Sequence, residues 1–365
     1  MCSHKAHAMK NVEIFPEDSS TDGLKRVKFG IDPTFNRLHL GHLVPLRIVK
    51  QFMGQGKDVT IVLGTFTAQM GDPSGKDKTR PILSKEEVES NAQDILQQVN
   101  QILGKNKFKV FKNGDEFNIM TVPRLMSIVS DFTVQQMIRR DAFAKRMSSD
   151  TPIGVHELIV PILQGTDSVI LNSEIEVGGT DQLFNFKIAR RLQEINEQEP
   201  EICVMAPIIN GTDGQKMSKS LGNCIFLDDS PENIFGKCMS ISDFTMEEWI
   251  PLLTDQNIEK DPMVRKKKMS FDIVKQICGE ENAKLSQEHF ERLIQSKKIP
   301  EKIPEVTVGT IVELVVAIRG CSNSQARRLI EEGAVKIDGE KSVLESKVSP
   351  GQIIKVGKRF FGKVI

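Results

Sequence analysis

The segment from Arg26 to Phe52 constrains the fold of this chain more than any other. The run RVKFGI from Arg26 is apolar and glycine-bearing, and the turn Asp32-Pro33-Thr34 follows it. From His39 to Phe52, apolar residues recur at helical spacing. A buried strand, a turn and a helix in this order predict the first unit of a parallel, doubly wound α/β sheet, of the Rossmann-like type.

Strands and helices continue to alternate after this unit. The run DVTIVL at 58–63 predicts a second buried strand, and a Ser-x-x-Glu capping box begins a long helix over 84–103. An apolar helix is predicted over 155–171. Ligands of such sheets bind beyond the carboxyl ends of the strands, so we expect a site at the Asp32 turn and at the loop that begins at Gly71.

Length and composition limit the class of protein. A chain of 365 residues allows two or three domains, and we predict a catalytic domain over 1–228, a helical domain over 229–300 and a small α+β module over 306–365. The net charge is zero, so affinity for nucleic acid must come from local basic clusters, such as 266–268, 327–328 and 355–363.

The sequence gives no sign of export or of a resident metal. No apolar run reaches the roughly 20 residues of a membrane helix, and the first ten residues lack the apolar stretch of a secretory signal. Six cysteines without CxxC spacing argue against a disulfide framework and a structural zinc. We therefore expect a cytoplasmic protein without a membrane partner or a metal-ligand set.

His39-Leu40-Gly41-His42 has the composition of a phosphate site. Its two histidines lie three residues apart at a helix N-terminus, where free N–H groups and the helix dipole favour an anion. Gly41 leaves room for a nucleotide against the backbone. Such a pair alone is more often structural or metal-binding, but the preceding Gly30-Ile31-Asp32-Pro33-Thr34 favours the nucleotide interpretation.

A second segment, Lys216-Met217-Ser218-Lys219-Ser220, lies between glycines that predict a movable loop. Two lysines three residues apart can reach a pyrophosphate and the charge that develops on an α-phosphate. Together with the histidine segment, this loop predicts a site that binds ATP and cleaves it at the α-phosphate.

Two further patterns predict ligand contacts. Gly178-Gly179-Thr180-Asp181-Gln182 follows a strand-like run; glycines permit close approach, and a carboxylate just beyond suits ribose hydroxyls, although a structural turn is the alternative. Gln164 and Asp167 share one face of an apolar helix. Because uncompensated buried polar groups are costly, they either meet a ligand or form an internal hydrogen-bonded pair.

These motifs together resemble the class I aminoacyl-tRNA synthetases, and the order GIDPTFNRLHLGH, GDPSGKDKTRP, VGGTDQ and KMSKSLGN is similar to the bacterial-type tyrosyl enzymes. The segments 324–330, 335–339 and 351–358 resemble the S-four-like RNA-binding module, which tryptophanyl enzymes lack. The resemblance covers the chain from about Lys25 onward.

The resemblance implies a role for each matching position. The implied catalytic residues are Thr34, His39, His42, Lys216 and Lys219. The implied ATP ligands are Asp32, Gly41, Gly179, Asp181, Lys216 and Lys219. The implied amino-acid ligands are Lys28, Asp72, Gln164, Asp167 and Gln182, with Asp167 accepting the phenolic hydroxyl. The implied RNA ligands are Arg327, Arg328 and Lys336.

The implied reaction is activation of L-tyrosine by ATP, accompanied by Mg²⁺, followed by transfer to the 3′ end of tRNA(Tyr). The region 229–300 is implied to be a helical anticodon-binding domain. Pro123 to Phe143 has apolar helical faces, which core packing or a dimer surface explains equally well; the resemblance favours a homodimer.

Two positions depart from the family pattern. Lys28 stands where many members have a tyrosine near the ring hydroxyl, and this variant resembles a subgroup. Val160 stands where a tyrosine usually contacts the α-amino group, and its loss would weaken amino-acid binding by about 1 kcal/mol. Activation of a non-standard aromatic amino acid, or a non-catalytic RNA-binding paralogue, are therefore the alternatives to tyrosine activation.

The chain contains no tyrosine at all. Positions where relatives tend to have tyrosine hold Phe132, Met147 and Thr166, so the replacements are not confined to the site. One hypothesis is that such an enzyme can still be translated when charged tRNA(Tyr) is scarce; biased composition is the alternative. Expression that falls under tyrosine starvation as fast as that of tyrosine-containing controls would refute the hypothesis.

Overall fold

The computed structural model describes residues 11–70, 83–255, 260–292, 303–307, 309–357 and 360–365. They fall into two compact units, the first ending at Asn282 and the second running from Ala283 to Ile365. The three domain ranges proposed from the sequence stay a prediction.

The elements of the first unit follow the alternation that the sequence predicts. Its strands are β1 (Glu13–Phe15), β2 (Arg26–Ile31), β3 (Asp58–Leu63), β4 (Lys109–Lys112), β5 (Ile175–Gly179) and β6 (Ile202–Ala206). Its helices are α1 (Leu40–Gly54), α2 (Thr67–Met70), α3 (Lys85–Leu103), α4 (Asn113–Phe117), α5 (Val122–Val129), α6 (Val134–Met137), α7 (Asp141–Ser148), α8 (Val155–Leu171), α9 (Leu183–Ile195), α10 (Pro231–Ser240), α11 (Asp243–Leu253) and α12 (Pro262–Cys278), and α13 (Glu280–Phe290) contains the unit boundary.

The six strands form one sheet in the order β1-β6-β5-β2-β3-β4. All neighbouring pairs are parallel except β1 with β6, which is antiparallel. The predicted doubly wound parallel sheet is thus confirmed, with one antiparallel edge strand that the sequence did not predict. The strand order reverses between β2 and β5, and ligands of such sheets bind at this switch point.

Helix α1 starts where the sequence predicts, because His39 is its N-cap and accepts a hydrogen bond from Gly41 N. Its apolar face, including Leu43, Leu46 and Phe52, is fully buried. Helix α3 starts at the predicted capping box, in which Ser84 and Glu87 satisfy each other's backbone N–H groups. Both helices are fixed at their N-termini by local sequence.

The region 123–143, whose apolar faces predict helices, contains three short helices, α5, α6 and α7. Thr133 forms a new capping box with Gln136, in which each side chain accepts from the other residue's backbone N–H. This box starts α6 as a separate short helix.

After the end of α13, the described residues of the second unit form a small mixed sheet and two helices. The strands β7 (Glu305–Val306), β8 (Val335–Ile337), β9 (Glu340–Lys341), β10 (Ile353–Val356) and β11 (Phe360–Val364) have the order β7-β11-β10-β8-β9, and α14 (Ile311–Arg319) and α15 (Asn323–Glu331) accompany them. Leu314, Val315, Ile330, Val335 and Ile354 belong to its core. The predicted α+β module is confirmed.

Within the described part of the chain, no helix has the length and apolar character needed to cross a membrane.

Candidate active site

A cavity of about 410 Å³ opens at the carboxyl ends of β2 and β5, where the strand order reverses. Most residues singled out from the sequence line it. They are Lys28, Asp32, Thr34, His39, Gly41, His42, Gln164, Asp167, Gly179, Asp181, Gln182, Lys216 and Lys219. Asp72 lies outside the described residues, and Arg327, Arg328 and Lys336 belong to the second unit.

Backbone hydrogen bonds join the two signature segments, although about 175 residues separate them in the chain. Leu40 N donates to Ile225 O at 3.0 Å, and Leu227 N donates to Leu38 O at 2.9 Å. The strand-like segment that follows the lysine loop therefore runs beside the start of α1. The lysines are thus tethered next to the histidines by backbone contacts.

Backbone N–H groups hold each of the two histidine rings in one tautomer. His39 Nδ1 accepts from Gly41 N at 3.1 Å, and His42 Nδ1 accepts from His39 N at 3.2 Å. A neutral imidazole has one donor and one acceptor nitrogen, so the proton of each ring lies on Nε2. A Cβ at Gly41 would come within 2.9 Å of the His39 ring, so a side chain there would displace the cap.

Both imidazoles are neutral near pH 7. Burial, together with the positive charge of Lys219, lowers the pKa of His39 to about 4. Burial, the adjacent His39 ring and the charge of Lys219 hold the pKa of His42 well below its ordinary value. The pair therefore offers two neutral N–H donors to a ligand.

The two lysines of the loop lie against different walls of the cavity. Lys216 Nζ lies 3.8 Å from Asp181 Oδ2, and both side chains are largely exposed. Lys219 Nζ lies 4.4 Å from the centre of the Phe35 ring. A Cβ at Gly179 would come within 2.6 Å of Asp181 Oδ1, so the glycine makes room for this carboxylate.

Asn223 fixes the shape of the lysine loop. Its Oδ1 accepts from Ser218 N at 2.8 Å, while its Nδ2 donates to Asp213 Oδ1 at 2.8 Å and to Lys216 O at 3.2 Å. Asn223 is buried. Sequence reasoning included it in the loop but did not single it out.

A chain of amide side chains crosses the cavity from Asp32 to Gln182. Gln164 Nε2 donates to Asp32 Oδ2 at 3.2 Å, and Asn185 Nδ2 donates to Gln164 Oε1 and to Gln182 Oε1, both at 2.7 Å. Thr67 Oγ1 donates to Asp32 Oδ1 at 2.7 Å. Asn185, three residues after Gln182 at the start of α9, is a functional candidate that sequence reasoning missed.

Asp167 lies at the buried end of the cavity. Its Oδ2 accepts from Asn113 Nδ2 at 3.3 Å, but its Oδ1 has no hydrogen-bond partner among the described residues. Burial raises the pKa of Asp167 to about 7, although the Lys28 charge and the Asn113 hydrogen bond act in the opposite direction. The hypothesis that Gln164 and Asp167 form an internal pair is wrong, since each contacts other groups.

Lys28 and Val160 are the two departures from the family pattern. Lys28 is buried beside Asp167, and its ammonium is 2.8 Å from Glu176 Oε1. Val160 is fully buried and does not line the cavity. The valine side chain therefore introduces no polar atom that needs a partner in the core.

The family model described as tRNA synthetases class I (W and Y) matches residues 22–299. The chain belongs to this family. A second model, the S4 domain, matches residues 311–354, which include both helices of the second unit.

Relatives match over nearly the whole chain. The tyrosine–tRNA ligase of Thermotoga maritima is 41% identical, over 97% of this chain and 94% of that protein. The tyrosine–tRNA ligase of Aquifex aeolicus is 39% identical, over 97% of this chain and 96% of that protein.

Solved structures show the same fold at low sequence identity. A C-terminally truncated mitochondrial tyrosyl-tRNA synthetase of Aspergillus nidulans has a TM-score of 0.63 and 20% identity, covering 74% of this chain and 86% of that one. A tyrosyl-tRNA synthetase of Archaeoglobus fulgidus complexed with L-tyrosine has a TM-score of 0.54 and 19% identity, covering 72% of this chain and 90% of that one.

Proposed function

We propose that this chain is a cytoplasmic tyrosine–tRNA ligase, which activates L-tyrosine with ATP and transfers it to tRNA(Tyr). The observation that supports this most directly is the unpartnered Oδ1 of Asp167. The phenolic hydroxyl of tyrosine can donate to this oxygen, whereas phenylalanine has no donor to offer. Because an unpaired buried acceptor is costly, the pocket favours tyrosine over phenylalanine.

The amino-acid backbone binds along the amide chain. The carboxylate of Asp32 and the amide oxygens near it suit the ammonium group of tyrosine, and Gln164 already contacts Asp32. Gln182 lies near the substrate carboxylate in this arrangement. Asp72 is a further ammonium ligand in the proposal.

ATP binds at the more exposed end. The Nε2–H groups of His39 and His42 donate to phosphate oxygens without adding positive charge. Lys216 and Lys219 approach the pyrophosphate portion, and Asp181 beside Gly179 accepts from ribose hydroxyls. Mg²⁺ enters as part of the MgATP substrate. Thr34 and Gly41 complete the phosphate end of the cavity.

The first reaction is a displacement at the α-phosphorus. A carboxylate oxygen of tyrosine attacks this phosphorus, the bond to the bridging oxygen breaks, and its electron pair leaves with pyrophosphate. Negative charge grows on the leaving pyrophosphate, and the lysine ammoniums stabilise it. A ribose hydroxyl at the tRNA 3′ end then attacks the carbonyl carbon of tyrosyl-adenylate and releases AMP.

A row of lysines on the second unit supports RNA binding. Lys336 on β8 is directly opposite Lys355 on β10 and Lys341 on β9. Like charges opposite each other on neighbouring strands are destabilising, so an anion beside this row would relieve the repulsion. RNA phosphates can supply it, and the exposed Arg327 and Arg328 on α15 belong to the same proposed surface.

We further propose that the chain forms a homodimer through the region 123–143. Several apolar side chains of α5–α7 are exposed, including Val122 at 71%, Met126 at 59%, Val134 at 60% and Met147 at 55%. Exposed apolar side chains concentrated in one segment of the chain are the feature that supports an interaction surface here. Sedimentation of the purified protein would test this proposal, with a monomer at micromolar concentration counting against it.

ATP–pyrophosphate exchange tests the proposed function. The purified protein is assayed with tyrosine, phenylalanine, tryptophan and 3-substituted tyrosines, and then for charging of a tRNA(Tyr) transcript. Exchange driven by tyrosine, with phenylalanine far weaker, is the expected result. Exchange with a 3-substituted tyrosine but not tyrosine would indicate a non-standard substrate, and no exchange with any of them would indicate a non-catalytic RNA-binding paralogue.

A further inference from the structure

At the buried end of the cavity, near Asp167, lies a cluster of charged groups that the proposed reaction does not use. It consists of Lys28 on β2, Glu176 on β5 and Glu201 just before β6, all at most 9% exposed. Lys28 Nζ lies 2.8 Å from Glu176 Oε1 and donates to Ser168 Oγ at 2.5 Å. The cluster therefore contains one lysine and two carboxyl groups.

The two carboxyl groups differ in the donors around them. Glu201 Oε1 accepts from Ser168 Oγ at 3.0 Å, and Glu201 Oε2 accepts from Ser173 Oγ. Ser168 Oγ also lies 3.5 Å from Glu176 Oε2, so one serine hydroxyl lies between the two carboxyl groups. Two ionised carboxylates beside a single ammonium would leave an uncompensated buried charge, which is costly, so one of the two holds a proton.

The electrostatics of the cluster agree with this assignment. Burial and the negative charge of Glu201 hold the pKa of Glu176 well above its ordinary value. Burial opposes the charge on Lys28, but Glu176 and Glu201 outweigh this and raise the pKa of the ammonium. Arg190, a nearby cation, donates to the backbone carbonyl oxygen of Glu201 and forms no ion pair with either carboxyl group.

The arrangement matters for tyrosine because Asp167 is the next carboxyl group within reach of Lys28. The positive charge of Lys28 acts on Asp167, yet no ion pair joins the two side chains. If Lys28 lost its present counter-ion, Asp167 would become the nearest replacement. An ammonium bound to Asp167 would then compete with the ring hydroxyl for Asp167 Oδ1.

We propose that Glu176 and Glu201 share one proton and act as positioning residues, which keep the Lys28 ammonium away from Asp167 and so leave Asp167 free to accept the ring hydroxyl. The role in tyrosine recognition rests on the proposed function. The pair itself rests on the hydrogen bonds of the cluster. A shared proton means that a single negative charge balances Lys28, and either carboxyl group can hold it.

The proposal predicts a coupling between two substitutions. In Glu176→Gln the remaining charge is on Glu201, and in Glu201→Gln it moves to Glu176, so each single variant keeps one counter-ion. The double variant E176Q/E201Q keeps none. We therefore expect its KM for tyrosine to exceed the product of the two single effects by about tenfold or more, with a much smaller change in kcat.

The experiment measures tyrosine-dependent pyrophosphate exchange and the Tm of the full-length protein for the wild type, both single variants and the double variant. The proposal would be overturned if the effects of the two single variants on KM simply multiply in the double variant and their effects on Tm simply add. The Tm measurements need no substrate, so they judge the shared proton even if the wild type does not exchange with tyrosine. Absence of tyrosine-dependent exchange in the wild type would instead refute the proposed function.

A triple variant covers the case in which the double variant does not fold. Lys28→Met in the E176Q/E201Q background removes the uncompensated cation while keeping an unbranched side chain. Recovery of Tm in this triple variant would support the charge balance described here. A triple variant as unstable as the double would show that lost packing, and not the unpaired ammonium, is the cause, and would overturn the proposal.

Discussion

Replacing Asp167 with asparagine should change substrate recognition and stability in opposite directions. The side chain keeps its shape, and its amide oxygen can still accept from Asn113 Nδ2, which now donates to Oδ2 of Asp167. The charged acceptor that faces the cavity is lost. The variant therefore isolates the one oxygen that has no partner among the described residues.

The loss in recognition follows from the strength of the missing hydrogen bond. A hydrogen bond to a charged group contributes about 1.5–3 kcal/mol, so kcat/KM for tyrosine should fall by about 10- to 150-fold. Phenylalanine has no hydroxyl and never forms this hydrogen bond, so kcat/KM for phenylalanine should change far less. The tyrosine-to-phenylalanine ratio in pyrophosphate exchange should therefore fall by nearly the whole factor.

The gain in stability follows from the pKa of Asp167. Folding raises this pKa from 3.8 to about 7, so the ionised form destabilises the substrate-free protein. The protonated acid makes its full favourable contribution to the free energy of unfolding below pH 4. This contribution is lost as the pH rises through 7. At pH 8, Asp167→Asn should raise the free energy of unfolding by about 2–4 kcal/mol, and the gain should shrink towards pH 4.

Thr166→Val is the matched control on the same helix. Thr166 is also buried, but its hydroxyl donates to Ile162 O within α8 and does not line the cavity. We expect this control to leave the kinetics with tyrosine unchanged. An Asp167→Asn variant that keeps the wild-type tyrosine-to-phenylalanine ratio, or that is less stable than the wild type at pH 8, would refute the reasoning.

Three further predictions concern the rest of the molecule. Lys219→Ala should lower kcat of pyrophosphate exchange by roughly 10²-fold with a smaller effect on KM for tyrosine, because its charge meets the leaving group; an unchanged kcat in rapid-quench assays would refute this role. Since folding lowers the pKa of His39 from 6.5 to about 4, the substrate-free protein should lose stability as pH falls below 6.5, by up to about 3 kcal/mol near pH 4, and His39→Asn should lose less in urea titrations. Lys336→Ala should reduce the slope of log K for tRNA binding against log salt concentration by about one, because one phosphate contact is lost. A slope equal to that of the wild type would count against RNA contact at Lys336.

The sequence predicted those parts of the fold that have local causes. β2, β3 and α8 have the bounds expected from their apolar runs, and α3 starts at its capping serine. β1 could not be found in this way, because three residues are too short for a periodic pattern. The apolar run of β6 is visible in the sequence but was not singled out.

The site was predicted from residue types, while its supporting contacts were not. Gln164 and Asp167 were found because polar residues are conspicuous on an apolar helix. Asn113 and Asn185, which position them, lie in segments where an asparagine is unremarkable. The backbone contact between the signature segments depends on tertiary packing across nearly 190 residues, for which a single sequence contains no local signal.

The distribution of charge along the cavity gives the proposed substrates one orientation. The exposed end has two lysines and two neutral imidazoles, so it favours the triphosphate without forcing a further cation into a buried position. The buried end has Asp167 at the proposed position of the ring hydroxyl. The only cation there, among the described residues that line the cavity, is Lys28, which already has a glutamate counter-ion. Reversed binding would bring the triphosphate towards carboxyl groups and leave the ammonium beside lysines. Both contacts are repulsive, so the order of charges in the cavity favours the carboxylate of tyrosine meeting the α-phosphate between the two ends.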